Sequence, residues 1–217
     1  HAPLRAITLA LILMLGGLNA AAEEPRTWFL NPLAKPSSLQ PDDSFLAQYA
    51  TAPLIHAAWG EHEAIELLVL APPSGLKNLR VECLDFEHPS GDVWEPGTLR
   101  ADFIGFVTTE QPYYGTLRVG EWSDPFLPDA SVDLEGGRAQ PIWIEVAVPL
   151  DAEAGRYTGA VRLSAEGWST ELPLEVEVWA FDLPEAPGLA SSFLLYPRYV
   201  YEYHDLEKGS PAGDAMV

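Results

Sequence analysis

Glu61, Glu63 and Glu66 crowd one turn, and Asp124 and Asp129 share one loop, so carboxyl chemistry is the first possibility to weigh. Cleaving a glycosidic bond usually needs two carboxyls held about 5 to 9.5 Å apart, in a pocket that shifts their pKa values. With 32 acidic residues in 217, close pairs arise by chance, and none of these carries a further signal. Asp124 stands before Pro125, where its side chain can bond its own backbone and fix the loop. His56 and His62 flank Gly60, with Glu61 and Glu63 on either side of the second, so a metal site can be drawn. No HEXXH or paired-Cys spacing supports it, and Asp85, Glu87 and Asp92 around the His88 to Gly91 turn do not make an EF-hand loop. Gly-X-Ser-X-Gly is absent, and the lone Cys83 shares a strand face with Leu79 and Val81, which reads as a buried thiol. Glycine motifs that cradle phosphate are also absent. The residues therefore name no catalytic group, no metal site and no cofactor.

Aromatic side chains are the better lead. Trp94, Tyr113, Tyr114, Trp122 and Trp168 fall in or beside predicted loops. Flat rings stack on sugar faces, joining apolar burial to polar tips, but loop aromatics also plug the ends of β-sandwiches. Trp122, Tyr113 and Tyr114 are the candidate carbohydrate contacts, because binding residues favour loops.

The elements that must position these groups are strands. From Pro141 to Pro184, Ile142, Ile144, Val146 and Val148 alternate with Trp143, Glu145 and Ala147. Further on, Leu172, Leu174, Val176 and Val178 alternate with Glu171, Glu175, Glu177 and Trp179. A period of two puts one set of side chains on each face of a strand. Three such strands in a row, joined by turns, predict one face buried against a second sheet, with Trp143 and Trp179 opposite the aliphatic stripe. Upstream, strands are expected over 53–59, 63–70, 76–86, 99–107 and 113–119, and an irregular loop over 120–137 with Pro125, Pro128 and Gly136-Gly137. The fold class is all-β: an antiparallel immunoglobulin-like β-sandwich, with no helix of useful length after the first segment.

Residues 1–22 place Arg5 before an apolar run from Ala6 to Leu18, then Ala20, Ala21 and Ala22. That order predicts a signal peptide cut after Ala22 or Ala20, in helical form, and hence a secreted or periplasmic protein; an uncleaved anchor is the alternative. Residues 23–52 read as a Pro-rich leader over the surface, 53–184 as the sandwich, and 185–217 as a linker with an orphan C-terminal strand over Ser191 to Tyr203. A hydrophobic content of 47% excludes disorder, and a net charge of −20 argues against nucleic acid and anionic membrane as partners.

The segments WGEHEAIELLVLAPPSGLKNLRVECLDFE (59–87), SDPFLPD (123–129), PIWIEVAVPLDAEAGRYTGAVRL (141–163) and AFDLPEAPGLASSF (180–193) follow in one order. That order resembles the N-terminal β-sandwich region of glycoside hydrolase family 123. The resemblance implies a partner: a C-terminal (β/α) barrel that holds the active site, with glycans as substrate. The family's catalytic Asp-Glu pair, which works with the substrate's own acetamido group, belongs to the barrel and has no matching position here. Such a barrel takes about 250 residues, so residues 185–217 would hold only its first strand. A truncated product, an incomplete reading frame and a lone accessory module remain open, as does an autonomous binding module or a structural spacer.

Overall fold

A computed structural model of the protein describes residues 23–94, 97–112, 115, 119–184 and 196–215. The expected signal segment, residues 1–22, lies outside the described residues, and so do Tyr113 and Tyr114. Along the chain come β1 (Arg26–Leu30), α1 (Asp43–Tyr49), β2 (Leu54–Trp59), β3 (His62–Leu70), β4 (Leu76–Cys83), β5 (Leu99–Thr109) and β6 (Gly120–Phe126). Then follow β7 (Val132–Leu134), β8 (Ala139–Ala147), β9 (Gly155–Ala165), β10 (Trp168–Asp182), α2 (Pro197–Tyr203) and α3 (Pro211–Asp214). Among the described residues the strands make two five-stranded sheets, ordered β1-β3-β8-β5-β6 and β2-β10-β9-β4-β7.

The expected alternation builds the core of this all-β sandwich. Ile65, Leu67 and Val69 of β3 and Ile142, Ile144 and Val146 of β8 meet Val161 and Leu163 of β9 and Leu174, Val176 and Val178 of β10. Each of these is at most 3% exposed. Side chains of the opposite parity point outward, as a period of two requires.

Several expectations need correction. The run from Pro141 to Pro184 does not stay in one sheet: β8 belongs to the first sheet, and only β9 and β10 pair as a hairpin, Trp168 opposite Ala165. Alternation tells which side chains share a face but not which strand lies alongside. The sandwich is mostly antiparallel, as expected, with one parallel pairing. β2 runs parallel to β10, with Leu54 opposite Glu175 and Ala58 opposite Trp179. Residues 120–137 are not one irregular loop, since β6 and β7 lie within them. Both strands close the edge of a sheet, where Pro125 withdraws no ladder donor that a neighbour needs.

The segment 23–52 is part of the sandwich rather than a loose leader. β1 pairs with β3 from Arg26 opposite Leu70 to Leu30 opposite Glu66. Its Phe29 packs on the main core, while Leu30 and Ala34 join Leu68, Leu70 and Ala139 in a second cluster covered by Trp28, Phe45, Leu46 and Tyr49. α1, a helix of 7 residues that sequence reading left unmarked, supplies the last three of those. Asp42 starts it by accepting a hydrogen bond from the Phe45 N–H at 2.7 Å, a standard N-cap. β1 buries side chains on both faces, so it shows no polar alternation to read.

The chain divides into two compact units, the second beginning at Pro184. Within that second unit, Ser191 to Tyr203 was expected as a strand, yet Pro197–Tyr203 forms α2, and residues 191–195 lie outside the described residues. A lone strand leaves its backbone donors and acceptors without partners, whereas a helix satisfies them internally. Pro197 suits the first helical position, and Arg198 meets Glu202 at 3.1 Å one turn on. No helix among the described residues is long and apolar enough to cross a membrane.

Candidate functional site

The histidines and acids singled out in the sequence do not converge. His56 sits on β2 in the second sheet, its Nδ1 3.6 Å from Glu177, and His62 sits on β3 in the first, its Nδ1 3.2 Å from Glu145. The hydrogen bond from His62, helped by Trp143 and Arg100, holds the Glu145 carboxyl below the usual range. Glu61 ties its own turn, accepting from the Ala58 N–H at 2.7 Å. Asp124 lies 3.7 Å from the Lys35 ammonium, and Asp92 accepts from the Tyr157 hydroxyl. No group of three or more His, Cys, Asp or Glu side chains among the described residues could hold a metal ion. Cys83 is half-buried; burial, with Glu82 and Asp102 nearby, pushes its thiol up to about 12. A thiol so far from ionised at neutral pH is a poor nucleophile.

One carboxyl is unusual in a way the sequence concealed. Glu66 occupies the outward parity of β3, between Leu30 of β1 and Trp143 of β8. It is only 2% exposed, and its Oε1 has no hydrogen-bond partner. Burial raises its pKa to about 8, against the opposing pull of Lys35. Lys35 comes from the segment between β1 and α1 and donates to the Ser123 carbonyl at 3.1 Å. The same segment is pinned by the Ser123 N–H on the Pro36 carbonyl and by the Ser38 N–H on Glu121. A single buried carboxyl is not by itself a catalytic pair.

The loop aromatics divide. Trp94 is 5% exposed and lies parallel to Tyr157 at 4.1 Å, with Phe86 beyond it, so it plugs one end of the core. Trp168 packs against the same core. Trp122 is half-buried on β6, where its Nε1 donates to Thr109 Oγ1 at 3.0 Å. Tyr113 and Tyr114 lie outside the described residues. Trp143 and Trp179 do not share a face: they stand on the outer sides of different sheets. Trp143 meets Phe126 edge-on at 6.0 Å.

Trp179 instead belongs to a row of rings that sequence reasoning did not assemble. Trp179 and Phe181 are 44% and 50% exposed, 5.9 Å apart, and 18° from parallel. His56 continues the row from β2, 5.7 Å from Trp179 and 24° from parallel. Glu177 lies beside His56 and also accepts from Arg156, which reaches Glu175 at 3.0 Å. The clue in the sequence was the Trp-Ala-Phe spacing; the parallel pairing that brings His56 alongside left no local sign.

Among the described residues the strands form two facing sheets around a closed core, with an aromatic row on the outer face of the second sheet. The family model for the glycoside hydrolase 123 N-terminal domain matches residues 46–165, more than half of the chain. The chain belongs to that family. A solved family 123 glycoside hydrolase from Clostridium perfringens, studied for glycolipid glycan hydrolysis, is similar at 14% identity with a TM-score of 0.65. The match covers 85% of this chain and 33% of that one, so this chain spans about a third of the enzyme's length. The CooA pilin subunit of enterotoxigenic Escherichia coli matches at 12% identity over 59% of this chain and 90% of its own, with a TM-score of 0.31, too low to bear on the fold. No curated protein matches the chain.

Proposed function

We propose that this chain is a non-catalytic accessory β-sandwich of a secreted glycoside hydrolase of the family 123 kind, working beside a separate catalytic barrel. The observation that carries the reading is the family match over residues 46–165, set against a similar enzyme of which the match covers only 33%. Arg5, the apolar run and Ala20 to Ala22 support export. The purified chain is expected to leave a β-N-acetylgalactosaminide intact, and the exported form to begin at Glu23 on N-terminal sequencing. Turnover abolished by a single carboxyl substitution would overturn the accessory role; an N-terminus retaining residues 1–22 would overturn export.

A second reading is an autonomous carbohydrate-binding module. The half-exposed ring row on the second sheet favours it, and Trp122 is a separate candidate contact.

A further inference from the structure

We propose that His56, Trp179 and Phe181 form a stacking platform for a neutral oligosaccharide on the outer face of the second sheet. This deepens the reading of the chain as a partner of glycan-degrading chemistry and rests on it for the ligand class.

The local sequence explains why the rings are outside. Val176 and Val178 point into the core, so Glu175, Glu177 and Trp179 must point out. The register then shifts between Trp179 and Asp182, at the end of β10. The parallel pairing sets His56 opposite Glu177, one outward position from Trp179. The result is three rings in a row, within 24° of parallel from one to the next.

Charge and area decide what fits. Elsewhere on this outer face lie two ion clusters: Arg156 with Glu175 and Glu177, and Arg162 with Glu171 and Glu82. Each guanidinium is matched by two carboxylates, so this face carries excess negative charge that, with the net charge of −20, repels anionic ligands. Trp and Phe rings at this exposure offer roughly 200 Å² together. A stable protein interface needs about 800 Å² per partner, so the row suits a small ligand better than a protein. Sugar rings present apolar C–H faces to stack on the rings, and their equatorial hydroxyls reach the planar carboxylate and guanidinium groups beside them. A neutral, ring-shaped, hydroxyl-edged ligand answers all three features.

The test is affinity electrophoresis and tryptophan fluorescence of the whole chain with soluble cello-, chito- and β-linked N-acetylgalactosamine oligosaccharides, and heparin as a polyanion. Binding to at least one neutral oligosaccharide is expected, weakened about tenfold by Trp179→Ala. Phe181→Ala is the second variant, because its half-exposed ring can be removed without opening the core; it should weaken binding several-fold with the thermal midpoint unchanged. Absence of neutral-glycan binding overturns the proposal, as does binding indifferent to both ring variants or preferring heparin. Self-association that Trp179→Ala abolishes, without glycan binding, would make the row a protein contact and also overturn it. Hydrolysis of a galactosaminide by the chain would sink the accessory role without touching this binding result, so the two failures are separable.

Discussion

Glu66 shows how one residue can set the response of the protein to pH. Its carboxyl is buried beside Leu30 and Trp143, and its pKa is raised from 4.5 to about 8. Between those values the unfolded chain has lost the proton and the folded chain still holds it. Folding therefore takes up a proton, and stability falls as pH rises, by about 1.4 kcal/mol per unit at most. The contribution is full below about pH 4.5 and gone by about pH 8. Glu66→Gln keeps the shape and removes the titration. Urea midpoints from pH 5 to 8 are expected to decline in the wild type relative to the variant; parallel curves would show that Glu66 ionises freely. The sequence presented Glu66 as one of three acids at a turn. Nothing local distinguished it, because its strand neighbours Leu30 and Trp143 and the nearby Lys35 all come from distant parts of the chain. Asp124 misled in a related way: its position before Pro125 suggested a loop anchor, and the structure places it beside Lys35.

At the scale of elements, legibility followed the burial of one face against exposure of the other. β8, β9 and β10 each have an aliphatic face and a polar or aromatic one, and all three were readable. β1 has none of that contrast, since Phe29 enters the main core and Leu30 the second cluster. The edge strands β6 and β7 were hidden by prolines and glycines that a sheet edge tolerates. The standing of the β1 segment is testable. Leu30 is fully buried, so Leu30→Ala is expected to lower unfolding stability by about 2–5 kcal/mol, read by chemical denaturation. A loss below about 0.5 kcal/mol, typical of a surface position, would show that the segment merely drapes over the sheets. Hydrogen-bond partners of the candidate aromatics belong to the same scale. Trp94 looked like a loop residue, but its neighbours Phe86 and Tyr157 draw it inward. Trp179 looked like an isolated outward residue until β2 brought His56 beside it.

For the whole molecule, the sandwich class and the family resemblance were readable because they rest on long alternating runs and ordered segments. The arrangement of strands within each sheet was not, because it is fixed by pairings between distant parts of the chain. The pairing of β2 with β10 has a consequence for how the protein is made. β10 lies between β2 and β9, so the second sheet lacks the strand that joins β2 to the rest until synthesis has passed Asp182. During that interval a nascent polypeptide carries β2 with no neighbour, and an unpaired strand is a template for clumping with other copies. Chains stopped before Trp168 should therefore pellet on ultracentrifugation, whereas chains stopped just after Leu183 should stay dispersed and melt cooperatively. Completion of the second sheet thus waits on the last strand, and chains cut short within it are material for proteases.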